Sequence, residues 1–231
     1  MIPDFGEASG CVAENRFFCT DWVRQNWGDV LQPALVQHVK LTVIAVAVGF
    51  AIAFLAALLA HRYRRAESPF AAFSALVYTI PSIALFQLLV PITGLSVLTV
   101  EVALVGYTLL ILFRNILAGL RAAPPEVLEA ARGMGYTRRQ TLWRVELPLA
   151  LPAIVAGLRV ATVSTIAIAT IAAFVVPEGL GRPIFDGLRD FFKTEIVAAG
   201  LLAIVLALFA DALLVLAQRA LTPWTYARRT V

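Results

Sequence analysis

The feature that most constrains this chain is a run of twenty residues without a charge, Leu41 to Ala60. About 20 apolar residues are enough for a helix to cross a lipid bilayer. Four more apolar segments follow, at about residues 70–91, 97–119, 151–176 and 196–217. Lipid offers no partners to backbone polar groups, so each segment is predicted to be helical. The sequence therefore predicts an all-α integral membrane protein with about five transmembrane helices.

The composition excludes a soluble protein of this length. Of the 231 residues, 60% are hydrophobic and 15% are charged, whereas soluble domains contain about 25% charged residues. The formal net charge of +4 does not indicate nucleic-acid binding. The basic residues lie in short segments between the apolar runs, and no helix combines a basic face with aromatic residues. The expected surroundings are the lipid bilayer, with no nucleic-acid partner.

The distribution of basic residues predicts the orientation, because Lys and Arg favour the cytoplasmic side of a membrane. Eleven of them lie in one set of connecting segments, residues 62–65, 121–144 and 219–229. Residues 1–40 and 178–195 carry six, together with nine acidic residues. The prediction is a multi-pass protein of the bacterial inner membrane, with its N-terminus outside and its C-terminus in the cytoplasm. Its parts are an exoplasmic tail (1–36), a transmembrane domain (37–220) and a cytoplasmic tail (221–231).

Both cysteines, Cys11 and Cys19, fall in the predicted exoplasmic tail. The exterior is oxidising, so a disulfide is one interpretation and two free thiols are the other. Their spacing fits no common zinc pattern. His38 and His61 stand outside any His-Glu-x-x-His motif, and both are expected in a loop or at the membrane interface. We therefore predict no metal site.

The sequence contains no motif for nucleotide binding or catalysis. A P-loop requires a glycine-rich turn that leads into Lys-Ser or Lys-Thr at a helix N-terminus. The chain has only two lysines: Lys40 precedes Leu41, and Lys193 follows Phe192 rather than a glycine turn. We therefore predict that this chain is not an enzyme and holds no cofactor of its own.

Four charged side chains lie inside the predicted membrane segments, and Pro81 falls in the middle of the second one. Such ionisable groups are costly, and they face a partner, a cavity or the interface. Glu101 and Arg114 lie near opposite ends of the third segment, so we expect them to extend to the two membrane surfaces. Arg159 and Asp211 lie at similar depth, which allows an ion pair with either a structural or a transport role. Pro81 predicts either a fixed bend or a gating kink in the second segment.

The connecting segment from Arg121 to Ala150 carries clear helix signals. Two consecutive prolines suit a helix start, and Gly135 suits a helix end. Thr137 and Gln140 fit a capping box that begins a second helix, and Pro148 is expected to stop that helix. Because this connecting segment contains several helix-start and helix-end signals, it is predicted to be a folded element rather than a flexible linker.

The same segment contains Glu129-Ala130-Ala131, three residues, Gly135, nine residues and then Val145-Glu146-Leu147-Pro148. This pattern resembles the EAA loop of ABC importer permeases, E-A-A-x3-G-x9-I-x-L-P, with Val in place of Ile. The resemblance implies a type I ABC importer permease fold with a coupling helix that docks on an ATPase subunit. The small side chains of Ala130 and Ala131 leave a thin helix face for close approach by a partner. The implied docking residues are Glu129, Ala130, Ala131, Gly135, Leu147 and Pro148.

The resemblance extends over about residues 37–223 and is nearest to permeases for osmoprotectants such as glycine betaine, choline and carnitine. It implies two separate ATPase subunits that bind ATP and Mg²⁺, an extracytoplasmic solute-binding protein, and alternating access. Five helices are too few to enclose a solute pathway, so a second permease copy or a paralogue is also expected. Pro177 and Glu178 depart from the glycine cluster that is typical of these permeases.

Two other functions remain open from the sequence. One is a permease of the same fold for amino acids or another small solute, which would share the loop and differ in substrate. The other is a membrane sensor or enzyme, which would have no ATPase partner.

Overall fold

The computed structural model describes residues 10–223, and the regular elements in this range are all helices. Residues 1–9 and 224–231 lie outside it, including most of the predicted cytoplasmic tail and two arginines used to predict orientation. In chain order the α-helices are α1 (Gly10–Ala13), α2 (Thr20–Gln25), α3 (Gln32–Arg62), α4 (Glu67–Thr79), α5 (Ser82–Thr93), α6 (Val97–Leu120), α7 (Pro125–Gly133), α8 (Arg138–Thr141), α9 (Leu147–Ala172), α10 (Gly181–Arg189) and α11 (Lys193–Leu221). A 3₁₀ turn covers Arg64–Ala66, and π-turns cover Trp27–Leu31 and Leu142–Glu146.

Within residues 10–223, four continuous helical segments are long and apolar enough to cross a membrane: Trp27–Arg62, Val97–Leu120, Arg138–Ala172 and Lys193–Leu221. The first and third include a π-turn, so each is longer than the apolar run that predicted it. A bent pair of helices in the same range qualifies as a fifth span. The prediction of about five transmembrane helices is therefore confirmed.

The second predicted segment is broken at Pro81 rather than bent within one helix. Helix α4 ends at Thr79 and α5 begins at Ser82. Pro81 has ψ of 137°, which is extended backbone. The residue before a proline is also disfavoured in helical conformation, so Ile80 cannot continue α4. The sequence therefore predicted the position of the irregularity, but it predicted a bend or kink where the structure has a break between two helices.

Tertiary contacts divide the chain into two compact units. The described part of the first unit comprises residues 10–45, 80–104 and 164–209. In its core Leu31 packs with Ala198 and Ala199 of α11, and Leu180 packs with Ala34 and Ala203. Small side chains on membrane helices permit this close packing around a larger apolar residue.

His38 lies fully buried in this unit, and the expectation of a loop or interfacial position for it was wrong. Its Nδ1 atom accepts a hydrogen bond from the backbone N–H of Leu180 at 3.1 Å. Its Nε2 atom therefore carries the proton, which it donates to the carbonyl oxygen of Ile166 at 3.1 Å. The adjacent Gln37 accepts from the N–H of Gly179 at 3.2 Å. Two neighbouring side chains of α3 thus hold the turn before α10.

The N-terminal segment of this unit is fastened to the turn between α10 and α11. Cys11 and Cys19 form a disulfide. Within the loop that it closes, Nδ2 of Asn15 donates to the carbonyl oxygen of Phe191 at 2.7 Å, and Oδ1 accepts from the N–H of Lys193 at 3.0 Å. The tail predicted from the sequence is therefore folded against the rest of its unit from residue 10 onward.

The described part of the second unit comprises residues 46–79, 105–163 and 210–223. Its core contains Ala53, Ala57 and Ala60, which recur on one face of α3. Large side chains of α6, including Phe113 and Ile116, complete this cluster. Spacings of three and four residues place side chains on one helix face, so the three alanines form a flat contact surface.

Candidate functional site

The candidate coupling loop is the segment from Arg121 to Ala150 that carries the EAA-loop pattern. Its first helix, α7, begins at Pro125 and ends in a Schellman motif. The N–H of Tyr136 bonds to the carbonyl of Ala131 at 3.0 Å, and the N–H of Gly135 bonds to that of Arg132 at 2.9 Å. The motif requires a residue with positive φ, and Gly135 has φ of +79°. Glycine adopts this conformation without the steric cost that a Cβ imposes. The fixed glycine of the loop pattern therefore has a backbone role.

The two alanines of the pattern face opposite environments. Glu129 and Ala130 are exposed, whereas Ala131 is only 1% exposed. We expected both alanines to form a thin helix face that a partner could approach. In the structure only Ala130 is available for such a contact. Because Ala131 is enclosed by its own chain, its small side chain allows α7 to pack closely rather than to meet a partner.

The second helix of the loop starts as predicted and continues where it was expected to stop. The side chain of Thr137 accepts from the N–H of Gln140, and Gln140 accepts from the N–H of Thr137, so the capping box is confirmed. Pro148 does not end this helix, which runs through a π-turn into α9. In that turn the N–H of Leu147 bonds to the carbonyl of Leu142. The wider turn accommodates the proline ring and needs no N–H from it.

Polar contacts anchor the loop at both ends. At its start Nη2 of Arg121 donates to Oε2 of Glu67 at 2.7 Å. At its end Nε2 of His61 donates to Oε2 of Glu146 at 2.8 Å, and these two side chains are only 20% and 14% exposed. The sequence did not predict the second contact. Histidine is favoured in the last turn of a helix. This local preference does not identify Glu146, which lies 85 residues away in the sequence, as the partner of His61.

A polar cavity of about 430 Å³ lies beneath the loop. Its lining residues are His61, Leu128, Arg132, Tyr136, Arg138, Thr141 and Glu146. The guanidinium of Arg144 lies 5.9 Å from the ring centre of Tyr136, within cation–π range. This part of the loop offers arginine donors that can bond to carboxylate or carbonyl oxygens of another protein.

Arg159 and Asp211 form the ion pair that their sequence positions allowed. Nε of Arg159 donates to Oδ1 of Asp211 at 2.7 Å, and Nη2 donates to Oδ2 at 2.9 Å. Their side chains are 35% and 33% exposed. This bidentate geometry joins α9 and α11 and satisfies both carboxylate oxygens within two apolar helices.

Glu101 does not extend to a membrane surface as expected. Both of its carboxylate oxygens are buried, and they have no hydrogen-bond partner among the described residues. Glu101 lines a groove that Lys40 of α3 also lines. Arg114, at the other end of α6, is exposed.

The fold is similar to that of the MetNI methionine ABC transporter, solved in inward-facing conformations. The TM-score is 0.73 at 21% sequence identity, and the match covers 86% of this chain and 98% of that one. At this identity the similarity concerns the fold alone. The protein therefore has the type I ABC importer permease fold.

The model of the family described as "Binding-protein-dependent transport system inner membrane component" matches residues 41–225, and the chain belongs to this family of multi-pass inner-membrane permeases. It is 32% identical to the choline transport system permease protein OpuBB of Bacillus subtilis, over 87% of this chain and 93% of that protein. It is 37% identical to the glycine betaine/carnitine/choline transport system permease protein OpuCD of the same organism, over 86% and 87%. It is 36% identical to the osmoprotectant import permease protein OsmW of Salmonella typhimurium, over 81% and 89%.

Proposed function

We propose that this chain is the membrane-spanning subunit of an ATP-driven importer of quaternary ammonium osmoprotectants such as glycine betaine, choline or carnitine. The observation that carries the proposal is the anchored loop from Pro125 to Pro148 in a chain of this family. The substrate class is supported by the relatives, whose names specify choline, glycine betaine and carnitine. These solutes share a trimethylammonium group.

Helix α7 docks on an ATPase subunit in this proposal, with the exposed Glu129 and Ala130 at the contact. Gly135, Leu147 and Pro148 shape the loop behind it. Because Arg121 binds Glu67 and His61 binds Glu146, a displacement of the loop also pulls on α3 and α4. A stiff, doubly anchored loop transmits movement that a flexible linker would absorb.

Two ATPase subunits, which bind ATP and Mg²⁺, drive the transport cycle in this proposal. An extracytoplasmic solute-binding protein delivers the solute, and a second permease copy or paralogue completes the pathway. The N-terminus lies outside and the loop lies in the cytoplasm, as the distribution of basic residues predicts. Closure of the ATPase pair moves both loops and exchanges outward-facing for inward-facing access.

Two adjacent residues provide a matched test of the docking surface. In a variant without Cys11 and Cys19, Ala130→Cys is expected to cross-link to the copurified ATPase through a short reagent that joins the new thiol to a lysine amine of the ATPase. Ala131→Cys, one residue further along α7, is expected not to react because this position is 1% exposed. Failure of any ATPase to copurify, or equal cross-linking at both positions, would contradict the proposed docking.

A further inference from the structure

A groove in the first compact unit brings together two ionisable side chains that the proposed coupling mechanism does not use. It has a volume of about 660 Å³ and lies between residues of α3 and the start of α6. Val36, Leu41, Ile44 and Val97 contribute apolar walls, and Lys40 and Glu101 contribute the charges. Both helices belong to apolar spans long enough to cross a membrane.

The buried, unpartnered carboxylate of Glu101 suggests that this groove binds a ligand. Both carboxylate oxygens are shielded from solvent and lack a hydrogen-bond partner among the described residues, so the Lys40 ammonium does not bond to them. A buried carboxylate without a partner is costly. Ionisable residues inside membrane segments are rare and mark pathways for solutes or ions. Rotation of the Glu101 side chain toward the groove that it lines would bring these oxygens to an oppositely charged occupant, which would remove this cost.

We propose that this groove is a transit site for the quaternary ammonium solute, where Glu101 contacts the trimethylammonium group and Lys40 contacts the carboxylate of solutes that have one. This inference rests on the proposed function and adds a site within the permease to it. It concerns how the solute crosses the membrane, separately from how a binding protein captures it.

The chemistry of the groove favours a quaternary ammonium group over a metal cation. A trimethylammonium group has no N–H, so it attracts a carboxylate by charge alone and needs apolar surface around its methyl groups. Glu101 supplies the charge, and the valine and isoleucine walls supply the surface. A metal cation such as Ca²⁺ takes six or more oxygen ligands, far more than the single carboxylate of this groove provides.

The two charges predict a difference between solutes that a purely structural role would not produce. Glycine betaine and carnitine carry both a quaternary ammonium and a carboxylate, whereas choline carries only the cation. Glu101 therefore acts on all three solutes, and Lys40 acts on glycine betaine and carnitine alone.

The test measures initial uptake rates in cells that lack other importers for these solutes and express the complete transporter with its ATPase and binding protein. Glu101→Gln is expected to lower the uptake of all three solutes by about tenfold or more, the size of one lost charged contact. Lys40→Met is expected to lower glycine betaine and carnitine uptake by a similar factor and to change choline uptake by less than about twofold. Asp21→Asn, at an exposed acid of α2, serves as the control and is expected to transport all three normally.

Uptake is normalised to the amount of permease that copurifies with the ATPase, so that a folding defect is not mistaken for a transport defect. Glu101→Asp, which keeps the charge, is expected to retain more uptake than Glu101→Gln. Normal uptake by Glu101→Gln, or an equal loss of choline and glycine betaine uptake in Lys40→Met, would overturn the inference and leave the proposed function intact. If the unmodified transporter takes up none of the three solutes, the proposed function fails as well.

Discussion

Nε2 of His61 lies 2.8 Å from Oε2 of Glu146, which joins the last turn of α3 to the π-turn before α9. Glu146 occupies the variable position between Val145 and Leu147 in the loop pattern. The contact therefore ties the end of the coupling loop to the first long membrane helix through a residue that the pattern does not specify.

A double-mutant cycle tests this contact. His61→Ala and Glu146→Ala each remove one partner, and the cycle completed by the double variant is expected to give a coupling free energy of about 1.5–3 kcal/mol, the range of a hydrogen bond to a charged group. The measurement is the thermal unfolding of the detergent-solubilised permease. Strictly additive effects would show that the two side chains do not interact.

Gly135 and Gly133 form a matched pair for testing the turn of the loop. At both positions a Cβ would meet no atom within 4 Å, but only Gly135 has positive φ. Gly135→Ala is therefore expected to cost about 1 kcal/mol and to reduce ATP-driven uptake. Gly133→Ala lies in the helix, where alanine is favoured over glycine, and uptake is expected to be unchanged. Equal loss in both variants would contradict the backbone role of Gly135.

The Arg159–Asp211 pair predicts an ordered set of stabilities. Arg159→Met or Asp211→Asn leaves one charge without its partner among apolar helices, and each is expected to reduce the amount of folded permease in membranes several-fold. The double variant is expected to recover most of that loss, because neither charge remains. The amount is measured by quantitative size-exclusion chromatography in detergent. A double variant less stable than both single variants would show that the pair contributes more than charge balance.

The buried contacts of His38 predict which residues stabilise the turn before α10. His38→Ala leaves the N–H of Leu180 without its partner, at an expected cost of about 1–3 kcal/mol, and removes the side-chain bond to the carbonyl of Ile166. Gly179→Ala is also destabilising, because φ is +63° and a Cβ would lie 2.8 Å from Nδ1 of His38.

Gly200 of α11 is the control for the Gly179 variant, since a Cβ there meets no atom within 4 Å. Gly200→Ala is expected to leave the unfolding temperature unchanged or to raise it slightly. An unfolding temperature of Gly179→Ala equal to that of the unmodified chain would contradict the close packing of this turn.

Local signals in the sequence were sufficient for much of the fold and the loop. The apolar runs located the spans because bilayer thickness fixes the length of a membrane helix. The capping box of Thr137 and the helix-ending Gly135 depend on residues within a few positions of each other. Such short-range chemistry is visible without tertiary structure.

The errors have a common physical origin in features that depend on neighbouring elements or on irregular turns. Pro148 was expected to stop a helix, but a π-turn accommodates it. Ala131 was grouped with Ala130, but packing within the loop buries it. His38 and Glu101 were placed near the membrane surfaces, and only the neighbouring elements around them reveal that they are enclosed.

The most direct measurement is ATP-driven solute uptake by proteoliposomes that contain this permease, its copurified ATPase and its binding protein. With ATP in the compartment that faces the ATPase, labelled glycine betaine, choline or carnitine is expected to accumulate, and Gly135→Ala is expected to reduce that accumulation while Gly133→Ala is not. Accumulation of amino acids with none of these three solutes would contradict the substrate class. ATP hydrolysis with no uptake of any solute, or the absence of a copurifying ATPase, would contradict the importer function itself.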